Sequence, residues 1–243
     1  YRADPHARSR IGAMRILAID CATERLSVAC GDGREFACRD ESAGQAHAER
    51  VLPRVREVLA ETGWALGSLD AIAFGAGPGS FTGVRIACGV AQGLALGAGV
   101  PLVPVGTLEA LAQEAWRTHG ATAVLACLDA RMREVYVASY ARTGAAAWRE
   151  IAAPAVAKPD ALARPSGTPF GAGNGFLAWP ALAARLGVAG VDAGLKPSAR
   201  AVGEIAAPRI ARGEVVAARD AHPLYVRHRV ALTAVERAAG ATL

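Results

Sequence analysis

Chemistry in this chain would have to come from a glycine-rich turn, two strand-terminal aspartates and a histidine at the head of a helix. The turn, Gly75 to Gly83, reads GAGPGSFTG and joins an apolar strand to an apolar helix. Glycines there permit positive φ and can leave amides at a helix N-terminus facing an anion. A phosphate loop of the G-x-x-x-x-G-K-[ST] type also needs a lysine and a hydroxyl, whereas Gly83 is followed by Val84 and Arg85. A G-x-S-x-G nucleophile is excluded as well, since Pro78 and Gly79 precede Ser80 and no glycine stands two residues after it. Pro78 stiffens the turn, so an anion site at Gly79 and Ser80 and a purely structural turn stand level. Asp20 and Asp129 each close an apolar strand. With Thr23 they are the groups that could support weak metal and phosphate chemistry. Arg131, Arg133 and Glu134 follow Asp129, and Gly171, Gly173 and Gly175 punctuate FGAGNGF. A charged hairpin and a glycine-rich cap account for these more simply, because no complete phosphate and metal set accompanies them. His47 is followed four residues later by Val51, so it lacks a second imidazole at metal-binding spacing and is expected on a helix surface or at an interface. His6, His119, His222 and His228 show no ligand spacing, and no metal site is expected.

The elements that must hold these residues form a weak internal duplication. An apolar strand from Arg15 to Asp20 precedes strands expected at Leu26–Cys30 and Glu35–Arg39, joined by a turn at Asp32 and Gly33. A two-residue turn there would place Cys38 opposite Ser27. Val124–Asp129 repeats the plan, with strands at Val135–Tyr140 and Ala147–Ile151 and a turn at Thr143 and Gly144. Two meanders, each followed by helices, predict two similar α/β lobes facing across a cleft. Ala46 to Glu61 reads as an amphipathic helix whose apolar stripe is Val51, Leu52, Val55, Val58 and Leu59; Pro53 should bend it or delay its start. The helix from about Phe81 to Gly97 carries few polar residues, chiefly Thr82, Arg85 and Gln92, and is expected to be buried on more than one side. Ala87, Ala91 and Ala95 recur every fourth position, and so do Gly89, Gly93 and Gly97, giving stripes where another backbone could approach. That backbone could belong to the chain's own sheet or to a partner protein. Further helices are expected at Leu108–Arg117, Leu177–Leu186 and Ala199–Arg212, and Pro154 to Pro169 reads as surface connection.

Composition bounds the partners. The chain has 243 residues, 52% of them hydrophobic and 20% charged, enough for one large domain or two lobes. Glycines, Arg85 and Gln92 interrupt its longest apolar run, so no membrane span is expected. Tyr1 to Ala13 holds Arg2, Arg8 and Arg10 against Asp4, which is +2 of the net +5. The body is thus only about +3, and without a dense basic run direct tight RNA binding by this chain alone is not expected. That first segment reads as an extension ahead of Met14, which starts the first strand. Cys21, Cys30, Cys38, Cys88 and Cys127 are odd in number and lack C-x-x-C spacing, which suits reduced thiols in a cytoplasm.

MRILAIDCATERLSVACGDG, HAERVLP, GAGPGSFTGVRIACGVAQGLALG and LDARMREVYVASY together resemble the TsaB (YeaZ) family, as does PLYVRHRV more loosely; the resemblance runs from Met14 to Arg229. It implies an α/β, actin-like ATPase (ribonuclease H-like) fold with two similar lobes, each a mixed sheet flanked by helices. The expected partition is an extension at 1–13, an N-terminal lobe at 14–106, a C-terminal lobe at 107–229 and a tail at 230–243. The family implies a non-catalytic partner of TsaD that works with TsaE, and reaches tRNA through the complex, in making N6-threonylcarbamoyladenosine beside the anticodon. It places the joint with TsaD on the first two long helices, here at His47, Arg50, Val51, Arg54, Phe81, Val84, Arg85, Cys88, Ala91, Gln92 and Ala95. The same surface is expected to pair two copies when the partner is missing. The fold would leave a degenerate nucleotide cleft around Asp20, Thr23, Gly79, Ser80, Asp129, Arg131, Gly171 and Gly173. Ala22 stands where an actin-like enzyme keeps a phosphate-turn glycine, and Tyr225, Arg227 and Arg229 match the family's last strand region. No catalytic residue and no cofactor are assigned. A stand-alone ATPase or kinase, and more remotely a metallopeptidase, are the competing functions.

Overall fold

The structure, a computed structural model, describes residues 14–227. The extension 1–13, His6, His228, Arg229 and the tail 230–243 lie outside the described residues. Two five-stranded sheets share one topology. In the first, β1 (Ile16–Asp20), β2 (Arg25–Gly31) and β3 (Phe36–Ser42) form an antiparallel meander, and β4 (Ala71–Gly77) and β5 (Leu102–Gly106) continue it in parallel, in the order β3-β2-β1-β4-β5. In the second, β6 (Ala123–Asp129), β7 (Val135–Gly144) and β8 (Ala147–Ala157) repeat the meander, and β9 (Phe170–Ala172) and β10 (Val191–Asp192) repeat the parallel continuation. The duplication and the mixed sheets expected from the sequence are therefore present.

Central strands β1, β4 and β6 are apolar up to the terminal aspartates of β1 and β6 because helices cover both faces. Leu17 and Ile19 of β1 point to the side of α1 (His47–Thr62) and α2 (Phe81–Ala98), while Ile16 and Ala18 point to α6 (Ala199–Ala211). Val124, Ala126 and Leu128 of β6 meet α3 (Thr107–His119); Leu125 and Cys127 meet the short helices α4 (Gly175–Ala178) and α5 (Leu182–Leu186). The helices thus cross over: α3, which follows the first sheet in the chain, packs on the second, and α6, which follows the second, covers the first.

A polar seam joins those crossed helices. Arg209 of α6 donates to both carboxylate oxygens of Glu109 on α3 at 2.7 Å and to the Pro104 carbonyl at 3.2 Å. Gln113 donates to Glu204 at 2.7 Å and accepts from the Trp148 indole at 2.9 Å. Arg117 adds ion pairs to Glu114 and Glu204. Burial raises the Glu109 carboxyl, and Arg209 opposes that.

Several local expectations are corrected. Residues 32–35 form the first hairpin loop, with Gly31 opposite Phe36, so Cys38 pairs with Ala29 and Ser27 with Asp40. The Asp32 carboxylate accepts from Arg34 and Glu35 amides, which stabilises the longer loop. The second hairpin turns at residues 145 and 146, since Gly144 pairs with Ala147. Strand β8 runs on through Pro154, because an edge strand tolerates a residue without an N–H and the ladder shifts register there. The helix expected at Leu177–Leu186 is split between α4 and α5 at Trp179 and Pro180. Pro53 sits inside a continuous α1, and Leu52 is 41% exposed, off the buried stripe. Helix α2 has a mean hydropathy of 1.3 over 18 residues, enough by length and composition to cross a membrane, yet its alanine face lies in the core.

Arg209→Ala would leave Glu109 buried without its cation. It is expected to cost roughly 3 kcal/mol of stability, read as a lowered urea midpoint at unchanged m-value.

Candidate functional site

The β4–α2 turn is pressed onto the turn that follows β1. A Cβ at Gly75 would lie 1.9 Å from an Asp20 carboxylate oxygen, one at Gly79 would lie 2.4 Å from the Ala22 carbonyl, and one at Gly83 would lie 1.9 Å from the Cys21 carbonyl. These glycines therefore serve close backbone approach. Two of the turn's donors are taken within the chain: the Ser80 amide donates to the Ala22 carbonyl at 2.7 Å, and the Gly83 amide donates to the Ser80 hydroxyl at 3.3 Å as the helix cap. Of the two readings open from the sequence, this geometry supports the structural one.

Asp20 is fully buried. One oxygen accepts from the Ala22 amide at 3.1 Å, and the other has no partner among the described residues. Burial pushes its carboxyl up to about 6, against which the Ala22 amide and Arg25 pull down.

A cleft of about 770 Å³ opens between the two sheets. Thr23, Gly79 and Ser80 line it from the first sheet, and Asp129 and Arg131 from the second. Asp20, Gly171 and Gly173 do not line it, which corrects their expected place. Asp20 is sealed beneath Gly75, while a Cβ on Gly171 would meet Phe176 and Val191 and one on Gly173 would meet the Cys127 carbonyl, so both glycines belong to the packing of β9. Asn174 takes their place at the cleft, its side-chain oxygen accepting from the Asp129 amide at 2.9 Å. Within FGAGNGF it alone carries a hydrogen-bonding side chain, the signal that could have singled it out. Tyr136, Met132 and Leu224 also line the cleft; they lie within family-like blocks but were not singled out as site residues. Acidic groups there are already engaged: Glu24 pairs with Lys196 at 2.7 Å, which holds its carboxyl below the usual range, and Asp129 accepts from the Arg131 amide at 3.0 Å. No cluster of three or more His, Cys, Asp or Glu suited to a metal occurs among the described residues. With Asp20 shut away and Ala22 filling the first turn, the cleft does not fit a metal-bound phosphate.

The turn between β6 and β7 is strained. Arg131, Met132 and Arg133 have φ of 60°, 52° and 58°, a left-handed run that costs L-residues about 1–2 kcal/mol each. Arg227 grips it, donating to the Ala130 carbonyl at 3.0 Å and to Glu134 at 2.6 Å.

The residues expected at a helix joint separate into two sets. His47, Val51, Val84, Cys88, Ala91 and Ala95 are buried in the chain's own core. His47 is only 5% exposed, which corrects its expected surface position. Arg50, Arg54, Phe81, Arg85 and Gln92 remain at least partly exposed, with Arg50 and Arg54 paired to Glu41 and the Arg85 guanidinium 3.3 Å from the Phe81 ring centre. Helix α2 is thus not buried all round. Its alanine stripe faces the sheet, whereas Cβ atoms built on Gly89, Gly93 and Gly97 would meet nothing within 4 Å. Beside the glycines Leu96 is 79% exposed. Sequence reasoning named the glycine stripe but could not tell it from the alanine stripe of the same spacing; it missed Leu96 and placed Leu52 on the buried stripe of α1.

Known proteins match closely. A family model described as "TsaD: tRNA N6-adenosine threonylcarbamoyltransferase" matches residues 40–173. A protein named tRNA threonylcarbamoyladenosine biosynthesis protein TsaB from Escherichia coli (strain K12) is 44% identical over 223 residues, covering 90% of this chain and 96% of the relative. The like-named protein of Haemophilus influenzae is 37% identical over 226 residues, covering 89% and 95%. Among solved structures, YeaZ from Pseudomonas aeruginosa superposes with a TM-score of 0.80 at 41% identity, covering 87% of this chain and 99% of that one.

The Asp20 shift sets a pH dependence. Its folded pKa of about 6 lies above the ordinary 3.8, so the wild type loses stability as pH rises through 6 and is spared that loss below 3.8. Asp20→Asn should therefore gain about 3 kcal/mol on the wild type between pH 4 and pH 7, seen as diverging thermal midpoints.

Proposed function

This chain belongs to the TsaB (YeaZ) family and takes part in tRNA threonylcarbamoyladenosine biosynthesis, and from that premise we propose that it is the non-catalytic scaffold subunit of the modifying complex. In this reading it dimerises with TsaD, works with TsaE, and reaches the adenosine beside the anticodon of tRNAs reading codons that begin with adenine only through the complex. The cytoplasm is where that chemistry would take place.

The observation that carries the proposal is the outer face of α2. Gly89, Gly93 and Gly97 form a ribbon without side chains, continued on the same helix by the exposed Leu96, and Leu52 on α1 is 41% exposed. Interior glycines weaken a helix by roughly 1 kcal/mol each relative to alanine, a loss with no return among the described residues, since none of them lies near these glycines. A second helix packed on that ribbon would supply the return, because small residues let backbones approach closely. Arg50, Arg54, Phe81, Arg85 and Gln92 would border the contact. His47, Val51, Val84, Cys88, Ala91 and Ala95 would support it from behind. Residues 14–106 then form the unit that presents the docking helices and 107–229 the unit behind it. Two copies of the chain would use the same ribbon when TsaD is absent.

A non-catalytic role is supported by the cleft. The carboxylate that would hold a metal is sealed under Gly75, and the turn that would close on a phosphate carries Ala22 and is covered by Gly79 and Gly83.

Threonylcarbamoyl transfer to tRNA by TsaD and TsaE is expected to require this chain, so its omission should abolish incorporation of labelled threonine. Gly93→Ala should raise the stability of the isolated chain by about 1 kcal/mol, measured by thermal unfolding. Gly93→Arg should leave the fold intact while removing both the TsaD complex on size exclusion and the tRNA modification. A Gly93→Arg chain that still forms the complex would place the joint elsewhere.

A further inference from the structure

The segment after α6 returns across the molecule and touches both sheets. The Gln92 side-chain amide on α2 donates to the Ala218 carbonyl at 3.0 Å and to the Ala221 carbonyl at 3.1 Å, and the Cys88 thiol lies 3.7 Å from the latter. The Leu224 amide then donates to Ala76 at the end of β4 at 2.7 Å. Tyr225 lies under the Arg85 guanidinium of α2, 5.1 Å from the ring centre. Arg227 ends the run on the second sheet, where it bonds the Ala130 carbonyl, Glu134 and the Met132 sulfur at 3.2 Å. Leu224 to Arg227 form one wall of the inter-sheet cleft.

What Arg227 holds is a turn that would not keep its shape unaided. Three consecutive side-chain-bearing residues at positive φ persist only where their surroundings over-determine them. Within the turn, the bonds are Ala130 N–H to the Glu134 carbonyl at 3.0 Å, Glu134 N–H to the Arg131 carbonyl at 2.9 Å and Arg131 N–H to Asp129. Arg227 supplies its main contacts from outside. Its side chain is only 13% exposed and its terminal nitrogen bonds the turn at Ala130 and Glu134, so the group is committed to the turn rather than to solvent. Released from Arg227, the turn would relax toward right-handed or extended backbone and carry Arg131, whose side chain is 89% exposed, away from the cleft mouth.

We propose that residues 218–227 are a strap through which occupation of the outer face of α2 resets the Arg131–Arg133 turn and with it the mouth of the inter-sheet cleft. The strap is anchored on α2 by Gln92 and Arg85 and grips the turn by Arg227, a positioning residue. The occupant of α2 rests on the reading that TsaD docks there; the mechanical link between Gln92 and the turn does not.

Amide hydrogen exchange on the full chain tests both parts. Arg227→Gln is expected to speed exchange of the Ala130, Arg131 and Glu134 amides at least tenfold, with Leu17 and Ala126 in the central strands unchanged. Gln92→Ala, which touches neither Arg227 nor the turn, is expected to speed the same three amides, and the double variant to add nothing beyond Arg227→Gln. Turn amides that stay at the wild-type rate in Gln92→Ala would overturn the strap, as would a double variant whose effects simply multiply. Addition of TsaD to the wild type should change exchange at the three amides, and this response should vanish in Gln92→Ala. If TsaD binds and the turn does not respond, the link to docking is wrong. If TsaD does not bind at all, the docking reading fails, and the two variants still decide the strap.

Discussion

Everything particular about this molecule follows from how closely two turns of the first sheet are pressed together. The chain leaving β4 lies against the chain leaving β1 with no room for a Cβ at Gly75, Gly79 or Gly83. That contact fixes the entry of α2 and its rotation, so the Ala87, Ala91 and Ala95 face drops onto the sheet. The glycine face is then left outward. The same contact closes the space beside β1 that a phosphate would need, and it shuts the Asp20 carboxylate into a site where its charge is disfavoured. One steric constraint thus leaves the glycine face of α2 exposed and the Asp20 carboxylate sealed beneath the cleft.

The second organising feature is the exchange of helices between sheets. Because α3 packs on the second sheet and α6 on the first, neither sheet has a complete core without chain from beyond it. The Glu109–Arg209 pair and the Gln113–Glu204–Trp148 chain lie at the crossing, where polar groups can satisfy one another away from water. On the opposite side of the molecule the 218–227 segment ties α2 to the β6–β7 turn. The cleft is bounded by chain from both sheets and walled on one side by Leu224 to Arg227 of that segment.

Much of this was legible in the residues. Strand-terminal Asp20 and Asp129, each followed by a meander, marked the duplication that the two sheets realise with identical strand order. The apolar runs of β1 and β4 were legible as strands, and the structure shows why they are apolar: helices cover both faces. The structure ends α1, α2 and α3 on left-handed glycine caps at Gly63, Gly99 and Gly120. Strand lengths and turn positions were less legible. The Asp32 loop is stabilised by side-chain bonds that a two-residue hairpin rule does not contain, and Pro154 is accommodated only because β8 happens to be an edge. Asn174 and Tyr136 escaped notice because each acquires its place from a sheet distant in sequence.

Sequence alone determined the family, the duplicated α/β plan and the apolar character of α2, since these are carried by local pattern and motif. It also held two four-residue stripes on that helix, and nothing in their spacing says which one meets the sheet. Only the tertiary structure decided that alanine faces in and glycine out, that His47 is buried, and that Asp20 lies beneath the cleft rather than in it. Those outcomes depend on where the β1 and β4 turns meet in space, and residues separated by more than fifty positions have no local signature of such a contact.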